Sequence, residues 1–328
     1  MEIDDAHIME SLKEAVAGAR RILLATHTRP DGDALGSLLG MYFILLGLNK
    51  DTVPYCPDRV PRFLTFLPGV DRIQRDIEGR FDASILLDTP EKRLFAEGFD
   101  ARGTFIVIDH HKESESFGDV VLRQPASAVG ELIYLAAKRA GWPVDADAAQ
   151  CLYTSIVADT SSFKYESATP ACHRAAADLI ELGAEPWKTA THLFESFSVV
   201  RRRLLAEVLG TLITGANDKY ASIYCTREMM RSVGAGQDDL EGMVNAARCI
   251  AGVELAALLR EEEDGIIRVS LRSKGSVDAS VVARHFGGGG HVNAAGFRLS
   301  GSSMQTASAL LLERAEVLLG LGGSCVSK

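Results

Sequence analysis

The sequence lacks the cysteine patterns that form disulfide frameworks or thiolate zinc sites. Its six cysteines are scattered, with no Cys-x-x-Cys pair, so we expect reduced thiols. It also lacks a signal-like N-terminus, because residues 1–5 are acidic, and it has no uncharged apolar run long enough to span a bilayer. We therefore expect a cytoplasmic protein that does not bind membranes.

Positive charge is scarce as well. The 35 lysines and arginines are outnumbered by 44 aspartates and glutamates, which gives a net charge of −9. Sequence-independent binding to long duplex nucleic acid depends on many contacts from Lys and Arg to phosphate, so we do not expect that partner. A small anionic substrate is compatible with an acidic chain, because bound cations and a few arginines can reverse the local field.

The apolar segments indicate the fold. The chain has 328 residues, of which 47% are hydrophobic and 24% charged, as is typical of packed chains with two domains. Apolar runs without alternation, at 22–25, 84–88 and 104–108, are separated by helical patterns, which predicts an α/β domain with a doubly wound, mainly parallel sheet. The expected domains are the sheet domain at 1–186, a linking helix at 187–208, and a smaller mixed α/β domain at 209–328.

A loop with three chemically active side chains follows the first apolar run. His27, Asp31 and Asp33 lie within seven residues, between a predicted buried strand and a predicted helix. Gly32 would let the backbone curl so that both carboxylates converge on one point, as in a metal site. The alternative is an ordinary turn with Asp33 as the helix N-cap. The loop alone does not decide between these interpretations.

More carboxylate and imidazole side chains follow other predicted strands and one helix. The carboxyl ends of parallel strands meet at one edge of a sheet, so we expect these side chains to converge there. The full set is His27, Asp31, Asp33, Asp88, His110 and Asp159. Carboxylates with some imidazole favour Mn²⁺ or Mg²⁺ over zinc. Four clustered carboxylates would repel one another, and two divalent cations would remove that repulsion.

Four segments, at 26–37, 88–89, 109–111 and 159–163, resemble in order the motifs of the DHH phosphoesterase family. Downstream, the run Gly-Gly-Gly-His at 288–291 and Ala-Ala-Gly at 294–296 resemble the DHH-associated substrate-binding domain of the first type. The segments at 163–165 and 169–176 most resemble bacterial members that degrade very short RNA and dephosphorylate 3′-phosphoadenosine 5′-phosphate. Two positions depart from the pattern: Ser161, where glycine is more usual, and Lys164, where arginine is common.

The resemblance implies two metal ions with one shared ligand. The ligands would be His27, Asp31 and Asp88 for one ion, and Asp33, Asp88, His110 and Asp159 for the other. The ions would be two Mn²⁺, with Mg²⁺ or Co²⁺ as alternatives, in a two-metal mechanism with a bridging hydroxide. His111 would contact the scissile phosphate or assist the leaving group, and Asp109 would orient an imidazole.

The resemblance also implies that the second domain holds the rest of the substrate, with the active site in a cleft between the domains. The substrate residues would be Arg272, Ser273, Gly288, Gly289, Gly290 and His291. Backbone N–H groups of the glycines, with the histidine, could cradle a phosphate, and a guanidinium could grip a phosphate or stack on a base. A plain flexible turn is the alternative for the glycines.

The implied substrates are short RNA, cut to 5′-mononucleotides, and 3′-phosphoadenosine 5′-phosphate, converted to AMP. A phosphodiesterase for cyclic di-adenylate or a linear dinucleotide is the alternative enzyme. A non-catalytic nucleotide sensor is the alternative from another class. A homodimer is expected only at the level of the family.

Overall fold

The computed structural model describes residues 5–89, 103–111, 117–275 and 277–320. The chain divides into two compact units, Met1–Ser196 and Phe197–Lys328. Within the described ranges, no helix is both long and apolar enough to cross a membrane.

The first unit is built on a five-stranded parallel sheet with the spatial order β2-β1-β3-β4-β5. Its strands are β1 (Arg21–Thr26), β2 (Asp51–Tyr55), β3 (Ala83–Leu87), β4 (Thr104–Asp109) and β5 (Val120–Arg123). Along β1, Ile22 and Leu24 pack into one hydrophobic cluster, whereas Leu23 and Ala25 pack into another. Because both faces of the strand are covered, it is apolar throughout, as the sequence predicts.

The helices of this unit are α1 (Ala6–Gly18), α2 (Gly32–Gly47), α3 (Val129–Ala140), α4 (Ala146–Asp159), α5 (Pro170–Glu181) and α6 (Pro186–Ala190). Helices α2 and α4 pack unusually closely along a stripe of glycines. A Cβ atom at Gly36 would lie 2.6 Å from the carbonyl oxygen of Cys151, and one at Gly32 would lie 2.4 Å from the Cβ atom of Ala158. The start of α2 therefore lies against the end of α4.

This contact corrects the predicted role of Gly32. Gly32 is the first residue of α2 and is not among the residues with positive φ, so no special backbone curl is needed there. A side chain at this position would collide with Ala158. The glycine matters because it lets the two helix ends approach each other, each with an aspartate beside it.

The second unit is built on a six-stranded mixed sheet with the order β10-β11-β9-β8-β7-β6. Its strands are β6 (Ile213–Gly215), β7 (Tyr220–Cys225), β8 (Leu255–Glu261), β9 (Ile267–Ser273), β10 (Gly289–His291) and β11 (Ala294–Leu299). Its helices are α7 (Val199–Leu209), α8 (Arg227–Val233), α9 (Val244–Arg248), α10 (Ala279–His285) and α11 (Met304–Leu318). Leu255 and Ala256, adjacent on β8, belong to different clusters, so helices cover both faces here as well. A sheet domain followed by a mixed α/β domain is thus confirmed.

Three local features differ from the sequence-based expectation. The segment at 187–208 is not one helix, because a π-helical turn at Thr191–Glu195 separates α6 from α7. The apolar spacing at 239–249 predicts one helix, but the structure has a 3₁₀ turn at Gln237–Leu240 and the short α9, with Gly242 at φ 67° between them. The edge strand β5 is not predicted at all.

Candidate metal centre

Three side chains of the site follow neighbouring parallel strands and meet at one edge of the sheet. His27 follows β1, Asp88 follows β3, and His110 follows β4. The Nε2 atom of His27 lies 3.4 Å from Oδ2 of Asp88, and the Nε2 atom of His110 lies 3.6 Å from Oδ1 of the same carboxylate. Asp88 therefore lies between two imidazoles, with one oxygen facing each.

The backbone of Asp88 is in a strained conformation. Its φ is 55°, in the left-handed region that costs a residue with a Cβ atom about 1–2 kcal/mol. Its N–H still donates to the carbonyl of Ile108, at 3.1 Å, as if the strand pairing continued. The turn directs the carboxylate into the cluster, where it is 4% exposed. Strain of this kind is typical of functional sites.

Helices α2 and α4 contribute the remaining carboxylates. His110 Nε2 lies 3.7 Å from Oδ2 of Asp33, on α2, and 3.9 Å from Oδ2 of Asp159, the last residue of α4. Three overlapping groups have potential ligand atoms within 4.8 Å of one another: His27, Asp31 and Asp88; Asp33, His110 and Asp159; Asp88, His110 and His111. All six predicted ligands are thus brought together.

The cap of helix α2 differs from the turn considered for the sequence. Asp31, not Asp33, is the N-cap, and its Oδ1 accepts hydrogen bonds from the N–H groups of Asp33 and Ala34, both at 3.0 Å. The helix begins two residues earlier than a cap at Asp33 would require. Asp31 fits both interpretations of the loop. It caps the helix, and it also belongs to the cluster with His27 and Asp88.

Asp33 is held by groups that are distant in the sequence. Ser155 Oγ on α4 donates to Oδ1 at 2.6 Å, and the N–H of Val129, at the start of α3, donates to Oδ2 at 2.9 Å. Ser37, one turn along α2, also donates to Oδ1 at 2.9 Å. The amino end of α3 thus faces Asp33, which favours negative charge on this carboxylate. These bonds fix its orientation before any cation binds.

Protons compensate part of the crowded negative charge. Burial alone would lower the pKa of His110, but the charges of Asp33, Asp88 and Asp159 raise it to about 9. The pKa of His27 is likewise lowered by burial and raised by Asp88 and Asp31, to about 9. Burial and then the charge of Asp88 raise the pKa of Asp33 to about 6. A divalent cation would replace these protons, since metal ligands bind in their deprotonated forms.

The distances between the imidazole nitrogens and the carboxylate oxygens fit coordination of a common cation better than direct hydrogen bonds. The five imidazole–carboxylate separations around Asp88 and His110 run from 3.4 to 3.9 Å, longer than ordinary N–H···O bonds. Two ligands at adjacent positions of an octahedral cation, with bonds of about 2.1 Å, stand about 3 Å apart. A small contraction onto a cation would satisfy this geometry, and the oxygen-rich donor set favours Mg²⁺ or Mn²⁺.

His111, whose Nδ1 atom lies 3.8 Å from Oδ1 of Asp88, also forms a hydrogen-bonded pair with Asp109 at the side of the cluster. Asp109, the fully buried last residue of β4, accepts a hydrogen bond from Nδ1 of His111 at 2.7 Å. Its other oxygen, Oδ2, accepts a hydrogen bond from Nε of Arg123 at 3.2 Å. A hydrogen bond therefore joins Asp109 to the imidazole of His111, and the orienting role implied by the family resemblance stays a prediction. Arg123 lies on the unpredicted strand β5, so sequence reasoning missed it.

The two departures from the family pattern lie just after α4. Ser161, Ser162 and Phe163 have φ values of 50°, 63° and 60°, so three successive residues adopt the left-handed conformation. Thr160 stabilises this turn by accepting the N–H of Phe163 at 3.0 Å. Glycine would adopt φ 50° without strain, which explains why it suits position 161. Lys164 is exposed, with its Nζ atom 5.8 Å from the ring centre of Phe194.

The predicted substrate residues of the second unit lie on one three-stranded segment of its sheet. Gly289 and Gly290 pair with Gly296 and Ala295 as the antiparallel hairpin β10–β11, so these two glycines lie in a strand, and Gly288 precedes it. Gly290 has φ 141°, and a Cβ atom there would lie 2.5 Å from the carbonyl oxygen of Ala294. The side chain of His291 lies outside the described residues.

Arg272 and Ser273 occupy the end of the adjacent strand β9. Ser273 is 2% exposed, and its hydroxyl donates to the carbonyl oxygen of Val292 at 3.0 Å, in the turn of the glycine hairpin. Arg272 is half-buried, and its NH1 group donates to the carbonyl oxygen of Leu271 at 3.0 Å. Ser273 therefore supports the hairpin, whereas substrate contact by these residues stays a prediction.

Comparison with known proteins relates these features to a family. Residues 21–156 match the N-terminal domain of the DHH family, and residues 217–316 match the DHHA1 domain. The chain is 33% identical over 310 residues to the bifunctional oligoribonuclease and PAP phosphatase NrnA of Thermus thermophilus, covering 93% of this chain and 91% of that protein. It is 29% identical over 282 residues to the NrnA protein of Bacillus subtilis, covering 84% and 88%.

Solved structures agree with this relationship. An exopolyphosphatase-related protein from Bacteroides fragilis superposes with a TM-score of 0.91 at 28% identity, over 96% of this chain and 98% of that one. A more distant fold relative, RecJ of Thermus thermophilus in complex with Mn²⁺, has a TM-score of 0.50 at 15% identity, over 97% of this chain and 55% of RecJ. The chain is therefore a hydrolase of the DHH phosphoesterase family, with a DHH domain followed by a DHHA1 domain.

Proposed function

We propose that this phosphoesterase hydrolyses very short RNA to 5′-mononucleotides and converts 3′-phosphoadenosine 5′-phosphate to AMP and phosphate. The observation that carries the proposal is the meeting of six carboxylate and imidazole side chains around Asp88. The similarity to NrnA proteins, which are named for these two activities, supports the choice of substrates.

The donor set fits two hard divalent cations, Mn²⁺ first and Mg²⁺ or Co²⁺ as alternatives. His27 and Asp31 would hold one ion, Asp33, His110 and Asp159 the other, and Asp88 both. When bound, such a pair supplies an activated water and stabilises charge on the attacking and leaving oxygens of an in-line displacement. The chain then needs no nucleophile of its own.

The side chains around this centre have separate tasks. Ser155 and the amino end of α3 hold Asp33 in one orientation, so little reorganisation is needed when the charge of the site changes. His111, whose Nδ1 atom is engaged by Asp109, has Nε2 at the opposite side of its ring for a phosphate oxygen. The DHHA1 unit, through Arg272 and the segment at 288–291, would bind the remaining nucleotide.

A second candidate is hydrolysis of cyclic di-adenylate or of its linear product. The chain is 25% identical over 338 residues to the cyclic-di-AMP phosphodiesterase PdeA of Listeria monocytogenes, covering 93% of this chain but 49% of that protein. A nucleotide sensor without catalysis is the third candidate. The complete ligand set argues against it, because a sensor has no need of six converging metal ligands.

The test is a side-by-side assay of the purified chain with Mn²⁺. The dinucleotide pApA, 3′-phosphoadenosine 5′-phosphate and cyclic di-adenylate are each supplied at equal concentration, and products are separated by chromatography. We expect AMP from the first two and little turnover of the third. Preferred turnover of cyclic di-adenylate would favour the second candidate, and binding of nucleotides without any hydrolysis would favour the sensor.

A further inference from the structure

Arg123 lies outside the four short motifs that resemble the family, although within the matched DHH domain, and it contacts the site through Asp109. It is the last residue of the edge strand β5, and it lies directly beside Asp109, its partner in the parallel register. Its Nε atom donates to Oδ2 of Asp109 at 3.2 Å. The guanidinium of Arg123 therefore contacts one oxygen of the Asp109 carboxylate, and His111 contacts the other.

The two oxygens of Asp109 have different partners, because Oδ1 faces His111 and Oδ2 faces Arg123. Oδ1 accepts hydrogen bonds from Nδ1 of His111 at 2.7 Å and from the N–H of the same residue at 3.3 Å. Asp109 is fully buried, whereas the side chain of Arg123 is 20% exposed. A buried carboxylate is costly without a positive partner, and it can rotate about its terminal bond unless both oxygens are engaged.

The sheet contains a second arginine–aspartate pair with the same geometry but a different position. Arg21 on β1 and Asp51 on β2 are also register partners, and Nε of Arg21 lies 3.2 Å from Oδ2 of Asp51. That pair lies at the amino ends of its strands and is exposed, by 39% and 63% for the two side chains. The two pairs differ in two respects. The Arg123–Asp109 pair is more buried, and its aspartate also forms a hydrogen bond with His111.

From this contrast, we propose that Arg123 is a positioning residue for phosphoester hydrolysis, acting through Asp109 to fix the imidazole of His111. The inference rests on the proposed function only for its kinetic readout. Arg123 itself does not contact the substrate in this account. Partners that hold the ligands and bases of a metal site commonly contribute a factor of about 10–100 to activity, and we expect this range here.

The kinetic test compares Arg123→Gln with the matched control Arg21→Gln, using pApA and Mn²⁺. We expect Arg123→Gln to lower kcat about 10–100-fold with KM changed less than about 3-fold, because orientation and not binding is lost. Arg21→Gln should stay within about 2-fold of wild type, as exposed ion pairs contribute little. Arg123→Lys keeps the charge without the planar fork, so it should recover part of the loss.

A double-mutant cycle then tests the route through Asp109. If Arg123 acts through this carboxylate, Arg123→Gln should have little further effect in an Asp109→Asn background. Multiplication of the two losses in the double variant would contradict the proposal. A wild-type kcat for folded Arg123→Gln, or for Arg123→Lys if the glutamine variant fails to fold, would contradict it as well.

A spectroscopic readout does not depend on turnover. In metal-free protein with ¹⁵N-labelled histidine, the Nδ1 proton of His111 should give a slowly exchanging signal that Asp109→Asn removes and Arg123→Gln broadens or shifts. Arg21→Gln should leave it unchanged. An unaltered signal in Arg123→Gln overturns the inference even if the enzyme hydrolyses pApA, whereas an altered signal sustains it even if the proposed substrates are wrong.

Discussion

The two units of this chain use polar side chains in different ways. In the first unit, carboxylates and imidazoles converge on one cluster, and a side chain of another element, Ser155, holds Asp33. In the second unit, Ser273 and Gly290 are engaged in the hairpin β10–β11 itself. The difference shows that potential metal ligands converge in the first unit, whereas Ser273 and Gly290 in the second unit serve the packing of a hairpin.

This comparison predicts a division of kinetic effects between the units. Changes in the cluster around Asp88 should reduce kcat for every substrate, because the reacting groups are lost. Changes on the β9–β11 surface should raise KM and alter the choice of substrate, because only binding of the remote nucleotide is affected.

Asp88→Asn should give the largest loss. The amide has one oxygen where the carboxylate has two, and Asp88 faces both His27 and His110. We expect kcat for pApA and for 3′-phosphoadenosine 5′-phosphate to fall about 10³-fold or more, which corresponds to about 4 kcal/mol. Asp51→Asn, at the exposed opposite end of the sheet, is the control and should retain activity. Equal activity of the two variants would remove Asp88 from the reaction.

Arg272→Gln should separate the roles of the units. The residue lies at the end of β9, and its loss should raise KM for pApA about 10-fold while kcat changes less than about 3-fold. The control is Arg268→Gln, four residues earlier on the same face of β9, where the guanidinium lies 3.9 Å from Glu262. A large fall in kcat for Arg272→Gln would contradict the expectation that the first unit carries the reacting groups and the second unit only binds the substrate.

Alanine substitutions in the glycine run should separate packing from ligand binding. Gly290→Ala would place a Cβ atom 2.5 Å from the Ala294 carbonyl oxygen at φ 141°, so we expect a loss of about 1–3 kcal/mol in the free energy of unfolding. Gly289→Ala meets no atom within 4 Å and should leave stability within about 0.5 kcal/mol. Urea unfolding of the full chain measures both. A raised KM for stable Gly289→Ala would support phosphate binding by this strand.

Ser161→Gly should give the smallest effect and the opposite sign. It removes a side chain from a residue at φ 50°, so we expect the free energy of unfolding to rise by about 0.5–1 kcal/mol. Thermal unfolding compared with Ser167→Gly, which lies outside this left-handed turn, checks the result. A destabilised Ser161→Gly variant would show that the serine side chain contributes more than its backbone strain costs.

Much of the first unit follows from local patterns. The apolar runs of β1, β3 and β4 predict buried strands, and strand ends in a parallel sheet predict the meeting of His27, Asp88 and His110. The strand β5 has only four residues at an edge, with too little burial to produce a pattern. The glycines of α2 at positions 32, 36 and 40 repeat every four residues, a spacing that indicates close helix packing.

The remaining features depend on contacts between distant positions. Ser155 is 122 residues from Asp33, and nothing near either residue indicates their hydrogen bond. The glycine run at 288–290 gives no side-chain pattern, so the same letters fit a loop or a strand, and its pairing with β11 decides the outcome. Local sequence therefore predicts which groups are available, and packing determines which of them are held in place.

The central claim is that the cluster around Asp88 holds two metal ions with Asp88 between them. Its most direct test is anomalous diffraction from crystals of the full chain soaked in Mn²⁺. The account predicts two manganese peaks, one beside His27 and Asp31 and one beside Asp33, His110 and Asp159, with Asp88 contacting both. A single peak, or peaks that Asp88 does not contact, would contradict it.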